Sequence, residues 1–176
     1  MDARIDGQAR YSRVAMWFHW TIAALVIVNL VIGIFHDAIG GMPIHKAVGI
    51  TVLALTAGRV AWRLGHRPPP LPPHTAGWEK GVAHATHWTL YLLMIAMPVS
   101  GWVMTSAGTR PLSWFGLFEI PKLPVDKAAG ALGSQAHGVL GWVMLALVVL
   151  HVAAALRHWL ILRDGVFARM APALER

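Results

Sequence analysis

The 176-residue chain contains no cysteine, and only 13% of its residues are charged. Without thiolates it cannot ligate an iron–sulfur cluster, attach a c-type haem or form a disulfide. Soluble domains usually have about 25% charged residues. The mean hydropathy is +0.55, and 56% of the residues are hydrophobic. The shortage of charge therefore indicates a membrane protein.

Four apolar stretches are long enough to cross a bilayer, which requires about 20 mostly apolar residues in a helix. They cover about residues 14–35, 43–64, 81–104 and 136–158. Pro98 is expected to kink the third stretch. Arg59 and Arg63 lie inside the second, where long side chains can extend to the nearer membrane surface. The sequence has no internal repeat, so we predict one all-α domain over residues 1–176, a membrane four-helix bundle.

Basic residues outnumber acidic residues by 15 to 8, a ratio that in a soluble protein could indicate nucleic-acid binding. Eleven of these 15 residues lie on one predicted side: three before the first stretch, four at the end of the second or before the third, and four at the end of the fourth or after it. This is the positive-inside pattern of a membrane protein, and it places both termini in the cytoplasm. No nucleic-acid partner is expected. The first stretch is longer than the core of a signal peptide and is expected to be retained as a helix.

Two connections have distinctive compositions. Residues 67–73 contain five prolines and are expected to form an extended polyproline spacer on the cytoplasmic side. The longest connection, residues 105–135, is expected on the outer side. Aromatic side chains favour the headgroup level of a bilayer, and this connection contains four residues suited to that level: Trp114, Phe115, Leu117 and Phe118.

Four histidines lie near the ends of the apolar stretches and fall at two depths. His19 and His151 belong to the cytoplasmic halves of the first and fourth stretches, whereas His45 and His137 begin the second and fourth at the outer face. In the fourth stretch, 14 residues separate His137 from His151, which is close to four helical turns or about 21 Å. Both imidazoles therefore project from one helix face. Ionisable side chains at membrane depth usually mark a functional site, and this set predicts axial ligands for two stacked haems.

Other interpretations of these histidines remain open. A single histidine near a helix end can be an ordinary interfacial residue, and another planar cofactor such as chlorophyll could use the same ligands. A structural zinc site is disfavoured because zinc ligands must lie close together. A haem or metal transporter could use the histidines as transient ligands, and a helical membrane protein without a cofactor would not need them. The loop histidines are expected to be solvated: His36, His66 and His74.

Three further histidines and one arginine lie near the predicted cytoplasmic surface. His84 and His87 are one turn apart at the start of the third stretch, and His158 is two turns beyond His151. They are candidates to line a quinone pocket beside the inner haem and to supply hydrogen bonds and protons, with ordinary interfacial histidines as the alternative. Arg59 is suited to bind a haem propionate, although simple extension of its side chain to the membrane surface explains it equally well.

Short motifs surround these residues along almost the whole chain, from about residue 11 to residue 172. They are Tyr11-Ser12-Arg13, Phe18-His19-Trp20, Ile44-His45-Lys46-Ala47-Val48-Gly49, the spaced pair Arg59 and Arg63, Gly81-Val82-Ala83-His84 with His87 and Tyr91, Pro98-Val99-Ser100-Gly101, Ala136-His137, the run 150–158 and Arg169-Met170-Ala171-Pro172. With these motifs the sequence resembles the prokaryotic cytochrome b561 family of four-helix dihaem membrane proteins.

The resemblance implies a multi-pass protein of the bacterial inner membrane with two haem b groups. His19 and His151 would bind the inner haem, and His45 and His137 the outer one. Members of this family are similar to a superoxide oxidase, which takes an electron from superoxide outside and passes it to ubiquinone in the respiratory chain. The implied activity is thus that of a superoxide:ubiquinone oxidoreductase. The alternative is a quinol-oxidising cytochrome b subunit or anchor that passes electrons to a periplasmic redox partner.

Overall fold

The computed structural model describes residues 10–70 and 76–174. Four long helices form its framework: α1 (Arg13–Ile34), α3 (Met42–Gly65), α4 (Gly77–Ser106) and α5 (Lys127–Arg157). All four are long and apolar enough to cross a membrane. The predicted helical membrane fold with four spans is therefore confirmed by length and composition.

Shorter elements join and extend these helices. Helix α2 (His36–Ile39) connects α1 to α3, and a π-helical turn (His158–Leu162) continues α5. The 3-10 turns Phe167–Arg169 and Pro172–Leu174 follow. An antiparallel hairpin, which the all-α prediction did not include, lies between α4 and α5 and pairs β1 (Ser113–Trp114) with β2 (Phe118–Glu119).

The helix starts have local causes in the sequence. The Ser12 side chain caps α1 by accepting a hydrogen bond from the Ala15 amide at 3.2 Å, and such caps satisfy an otherwise unpaired backbone donor. A proline in the first turn begins α3, where its missing N–H is not required. The Asp126 carboxylate caps α5 through the Ala129 amide at 2.8 Å.

The helix that contains the fourth stretch starts earlier than predicted, and this start corrects two predictions. Helix α5 begins at Lys127, nine residues before the predicted start at residue 136. The predicted connection over residues 105–135 is therefore wrong in extent, because its last nine residues, 127–135, are helical. His137 does not begin the helix but lies ten residues into it, about 15 Å from its N-terminal end.

The early part of α5 is helical because it packs against the C-terminal end of α4. Gly130 and Gly133 are buried, and a Cβ at Gly130 would lie 2.3 Å from the Ala107 side chain. At Gly133 the nearest backbone atom, the Ser100 carbonyl oxygen, would lie at 3.0 Å. Small residues allow helices in membranes to approach this closely, and hydropathy alone gives little sign of the contact.

The four helices pack in the order α1, α3, α4, α5. A cleft of about 400 Å³ separates α1 from α5, and its walls are aliphatic side chains such as Ile27, Val31, Val148 and Val152. Many large apolar side chains on the outer helix surfaces are exposed, and Ile22 is the buried residue of α1. The bundle thus presents apolar side chains outward, as lipid contact requires.

Three predictions concerned loop segments. The described part of the polyproline spacer, Pro68–Pro70, is not helical, as predicted, whereas residues 71–73 and His74 lie outside the described residues. His36 does not belong to a loop: it begins α2 and its Nδ1 lies 2.8 Å from the Gly33 carbonyl oxygen. His66 directly follows the last residue of α3 and is exposed, in agreement with the prediction, and its ring stacks on Trp62 at 3.7 Å between ring centres.

The hairpin of β1 and β2 packs against the side of α3. The Trp114 indole N–H donates to the Thr51 hydroxyl at 3.0 Å, and Thr51 lies nine residues beyond the first residue of α3. The turn uses left-handed backbone at Phe115 and Gly116, with φ of 48° and 76°. Leu117 at its tip is 73% exposed. This geometry agrees with the prediction that the segment lies at the headgroup level, which stays a prediction.

We expect a nitroxide at Leu117→Cys to lie in the bilayer interface, because an exposed apolar tip beside a membrane helix is stabilised by lipid. The chain has no other cysteine, so labelling is specific. In proteoliposomes the label should be more accessible to oxygen than to a water-soluble nickel chelate, measured by power-saturation electron paramagnetic resonance. The control is Arg110→Cys, an exposed loop position that should prefer the nickel chelate. Equal preference for the chelate at both positions would place the hairpin in water.

Candidate functional site

The four predicted ligand histidines meet as two pairs inside the bundle. The His19 and His151 rings lie 6.2 Å apart between centres, with an interplanar angle of 75°. The His45 and His137 rings lie 5.9 Å apart at 86°. These are the pairs that depth and helix phase predicted. The pairing joins α1 to α5 at the level predicted to be cytoplasmic, called the inner level below, and α3 to α5 at the opposite level, called the outer level.

The spacing within each pair fits one iron ion between two imidazoles. Metal–imidazole nitrogen bonds are about 2 Å long, so two opposed ligands place their ring centres about 6 Å apart when the depth of each ring is added. Among the described residues, no group of three or more His, Asp or Glu side chains converges as a metal site. The donor set therefore suits axial ligation of haem better than a structural zinc ion.

Backbone carbonyl groups orient the outer pair. The His45 Nδ1 lies 3.1 Å from the Asn29 carbonyl oxygen, and the His137 Nδ1 lies 3.1 Å from that of Met97. The Ser100 hydroxyl donates to the same Met97 carbonyl at 2.8 Å. The tautomer that satisfies these carbonyls has its proton on Nδ1, which leaves the Nε2 lone pair available as the iron ligand.

Two glycines lie directly against the outer imidazoles. A Cβ at Gly33 would stand 2.8 Å from His45 Cε1, and a Cβ at Gly101 would stand 3.1 Å from His137 Cε1. Any side chain at Gly33 would force the ring to move. In the sequence these glycines are indistinguishable from the others, and only the packing assigns them a role beside the ligands.

Aromatic rings rather than carbonyls surround the inner pair. Within the described residues neither His19 nor His151 forms a side-chain hydrogen bond. Trp20 contacts the His19 ring at 5.2 Å, and His87 contacts the His151 ring at 5.4 Å, both edge to face. The structure thus brings His87, a quinone-pocket candidate, to the inner pair.

The other two quinone-pocket candidates lie elsewhere. The His84 Nδ1 lies 2.7 Å from the Lys80 carbonyl oxygen of its own helix, and the side chain is exposed. The His158 Nδ1 lies 2.6 Å from Asp164 Oδ2. In the part of the chain that the structure describes, no hydrogen bond or ring contact joins these two imidazoles to each other or to His87, although His84 is close enough to His87 for their charges to interact. A single pocket lined by all three therefore remains a prediction.

Arg59 binds a tyrosine beside the inner pair. Its Nε donates to the Tyr91 hydroxyl at 2.8 Å, and it is close enough to interact electrostatically with His19 and His151. Arg63 lies over the Tyr91 ring at 5.6 Å. Among the described residues Arg59 forms no ion pair with an acidic side chain, so its charge is available for an anionic group such as a propionate.

The C-terminal segment covers the inner end of α1, a contact that sequence reasoning missed. The Tyr11 amide donates to the Arg169 carbonyl oxygen at 3.3 Å, and the Trp20 indole donates to that of Met170 at 2.8 Å. Arg169 also donates to the Pro70 carbonyl. Burial raises the pKa of the Tyr11 phenol, so this side chain is neutral at physiological pH.

Comparison with known proteins adds to this geometry. A family model described as prokaryotic cytochrome b561 matches residues 10–173. The chain belongs to this family. It is 32% identical over 174 residues to cytochrome b561 homolog 2 of Escherichia coli (strain K12), covering 92% of this chain and 90% of that protein. It is 29% identical to a probable superoxide oxidase, CybB, of Yersinia pestis, covering 93% and 96% of the two chains. A cytochrome b562 of Cereibacter sphaeroides is 30% identical over 91% of this chain and 94% of that protein.

Family membership confirms the resemblance drawn from the sequence motifs. The protein is a prokaryotic membrane cytochrome of the b561 type, and its family implies b-type haem and electron transport. The histidine pairs provide a place within the bundle where such a group fits.

Proposed function

We propose that the protein is a dihaem b cytochrome that transfers electrons between a donor at the outer membrane surface and ubiquinone. The main support is the presence of two histidine pairs with iron-compatible spacing, one at 6.2 Å and one at 5.9 Å. His137 and His151 share α5, and their separation of 14 residues corresponds to about 21 Å. Each pair belongs to its own level of the membrane.

The residues of the chain would hold and tune the two haem groups. Each bound haem supplies one-electron redox chemistry. His19 with His151 would hold one haem group and His45 with His137 the other, and Arg59 would bind an inner propionate. The carbonyls of Asn29 and Met97 hold the outer imidazoles in one tautomer, which should make that pair the more rigid.

Superoxide is the proposed donor at the outer surface. Lys46 lies close enough to Arg110 and Lys122 for their charges to interact, and basic residues attract a small anion. Nearby acidic residues offset most of this charge, since the outer segments contain four basic and three acidic side chains. The Yersinia pestis relative is named a probable superoxide oxidase, which also favours this donor.

Ubiquinone is the proposed acceptor near the cytoplasmic surface. His87 contacts the inner pair and His158 lies seven residues beyond His151, so both are candidates to hydrogen-bond the quinone head. His84 is the third candidate. The distribution of basic residues supports insertion in the bacterial inner membrane with both termini in the cytoplasm.

A pyridine-haemochrome assay on the purified protein tests the number of haem groups. We expect about two haem b per chain, because each histidine pair can ligate one iron ion. A ratio near one would mean that one pair is not a ligand set. A ratio near zero after expression with ample haem would favour a transporter or a cofactor-free protein.

Stopped-flow mixing with superoxide then tests the reaction. We expect superoxide to reduce the haem groups and ubiquinone-1 to reoxidise them, in both detergent and proteoliposomes. If ubiquinol reduces the protein but superoxide does not, a periplasmic redox partner becomes the better assignment. Such a partner should then copurify through the outer connection between α4 and α5.

A further inference from the structure

A histidine–aspartate pair lies at the inner end of α5, outside both ligand pairs. The His158 Nδ1 and Asp164 Oδ2 atoms are 2.6 Å apart, a short distance that indicates a charge-assisted hydrogen bond. The two side chains are only 21% and 12% exposed. The second carboxylate oxygen of Asp164 accepts from the Val166 amide at 3.1 Å, so the carboxylate is held at both ends.

The backbone between the two residues has an unusual course. Helix α5 widens into a π-helical turn at His158–Leu162, a feature often found at functional sites. Arg163 then adopts left-handed backbone with φ of 50° and donates its amide to the His158 carbonyl at 2.8 Å. Gly165 is also left-handed, with φ of 74°. Left-handed backbone is unfavourable for arginine, and here it turns the chain so that Asp164 faces His158.

A row of aromatic side chains connects the π-helical turn to the inner histidine pair. Trp159 stacks on Phe167 at 5.3 Å between ring centres, and Phe167 meets Trp20 at 6.4 Å. Trp20 in turn contacts His19. His158 is seven residues from His151 along the helix, about 10 Å toward the inner surface. The pair therefore lies between the inner ligands and the proposed cytoplasmic side.

We propose that Asp164 is a positioning residue that holds His158 as the proton donor to the quinone, an inference that rests on the proposed function. With Nδ1–H bound to the carboxylate, Nε2 is the nitrogen that faces other groups, and within the described residues it has no hydrogen-bond partner. Nε2 of His158 can thus take up a proton from cytoplasmic water and present Nε2–H to a quinone oxygen.

Reduction of a quinone to a quinol requires two electrons and two protons. Two superoxide ions provide the electrons through the cytochrome. In each transfer the Nε2–H bond of His158 breaks and an O–H bond forms on the quinone, and the neutral imidazole then regains a proton from water. Asp164 remains ionised throughout, as expected for a residue that orients a base without itself exchanging protons.

Reoxidation of the dithionite-reduced protein by ubiquinone-1 tests the pair. In Asp164→Asn we expect the maximal rate to fall on the order of 100-fold, the lower end of the range typical of a lost acid–base group. The half-saturating quinone concentration, haem content and absorption spectrum should stay unchanged. His158→Gln should show the same loss, the double variant no additional loss, and Asp164→Glu a partial recovery. The matched control is Glu79→Gln, which alters a carboxylate paired with Arg157 near the same surface.

The outcomes separate the two proposals. If the wild-type protein contains its haem groups but ubiquinone-1 does not reoxidise it, the proposed function fails. If the wild-type protein is reoxidised and Asp164→Asn matches it in maximal rate, the role of Asp164 is overturned. Should Asp164→Asn lose haem, His158→Gln provides the same test, because it leaves the Asp164–Val166 hydrogen bond in place. An unchanged rate in that variant would then overturn the inference.

Discussion

Replacement of His137 by alanine is expected to remove the outer haem b and leave the inner haem bound. His137 faces His45 at 5.9 Å between ring centres, whereas the inner ligands form a separate pair at the far end of α5. Haem content should fall from about two to about one per chain, measured by pyridine haemochrome, and the remaining reduced spectrum should show a single α band. His151→Ala should remove the inner haem instead.

A suitable control is His66→Ala. This histidine stacks on Trp62 at the exposed end of α3 and contacts neither pair, so both haem groups should remain. Simultaneous loss of both groups in His137→Ala, with the protein still folded by circular dichroism, would show that the two levels are not independent. Full retention of both would show that His137 is not a ligand.

Substitution of Gly33 by valine is expected to weaken the outer haem site strongly without changing any ligand. The new Cβ would lie 2.8 Å from His45 Cε1, and the ring cannot retreat easily because its Nδ1 is bound to the Asn29 carbonyl. A displaced imidazole loses its alignment with iron, so outer haem occupancy should fall by more than half. Redox titration of the purified variant, followed by absorbance at the α band, should show mainly the redox transition of the inner haem.

The matched control for this substitution is Gly138→Val. Gly138 is adjacent to His137 in the chain, yet a Cβ there would have no atom within 4 Å among the described residues. It should therefore keep both haem groups and both potentials. If Gly33→Val retains a normal outer component, the outer imidazole does not need the space that this glycine provides.

The sequence predicted the fold through signals that are local. Each span depends on about 20 consecutive residues that avoid charge, and this condition can be read without knowing the neighbours. The pairing of His19 with His151 and His45 with His137 could also be predicted, because helix rise and depth in a membrane restrict which residues share a level. Family motifs supported the same pairs.

The sequence predicts the structure less well where a segment depends on packing between helices. The start of α5 was placed nine residues late, because the contacts of Gly130 and Gly133 with α4 stabilise a segment of low hydropathy. The hairpin that binds Thr51 through Trp114 joins residues 63 positions apart. No window along the chain contains both partners of such a contact.

The sequence by itself determined the membrane class, the four spans and the residues able to ligate haem, since composition and helical spacing are properties of short segments. The tertiary structure decided which glycines face the imidazoles, which carbonyls fix their tautomers and which aspartate binds His158. Gly33 meets His45 across two helices, and Asp164 reaches His158 only because a π turn and a left-handed arginine redirect the backbone. A change of a few tenths of an ångström would alter these contacts, and their distances are set only when the helices pack together.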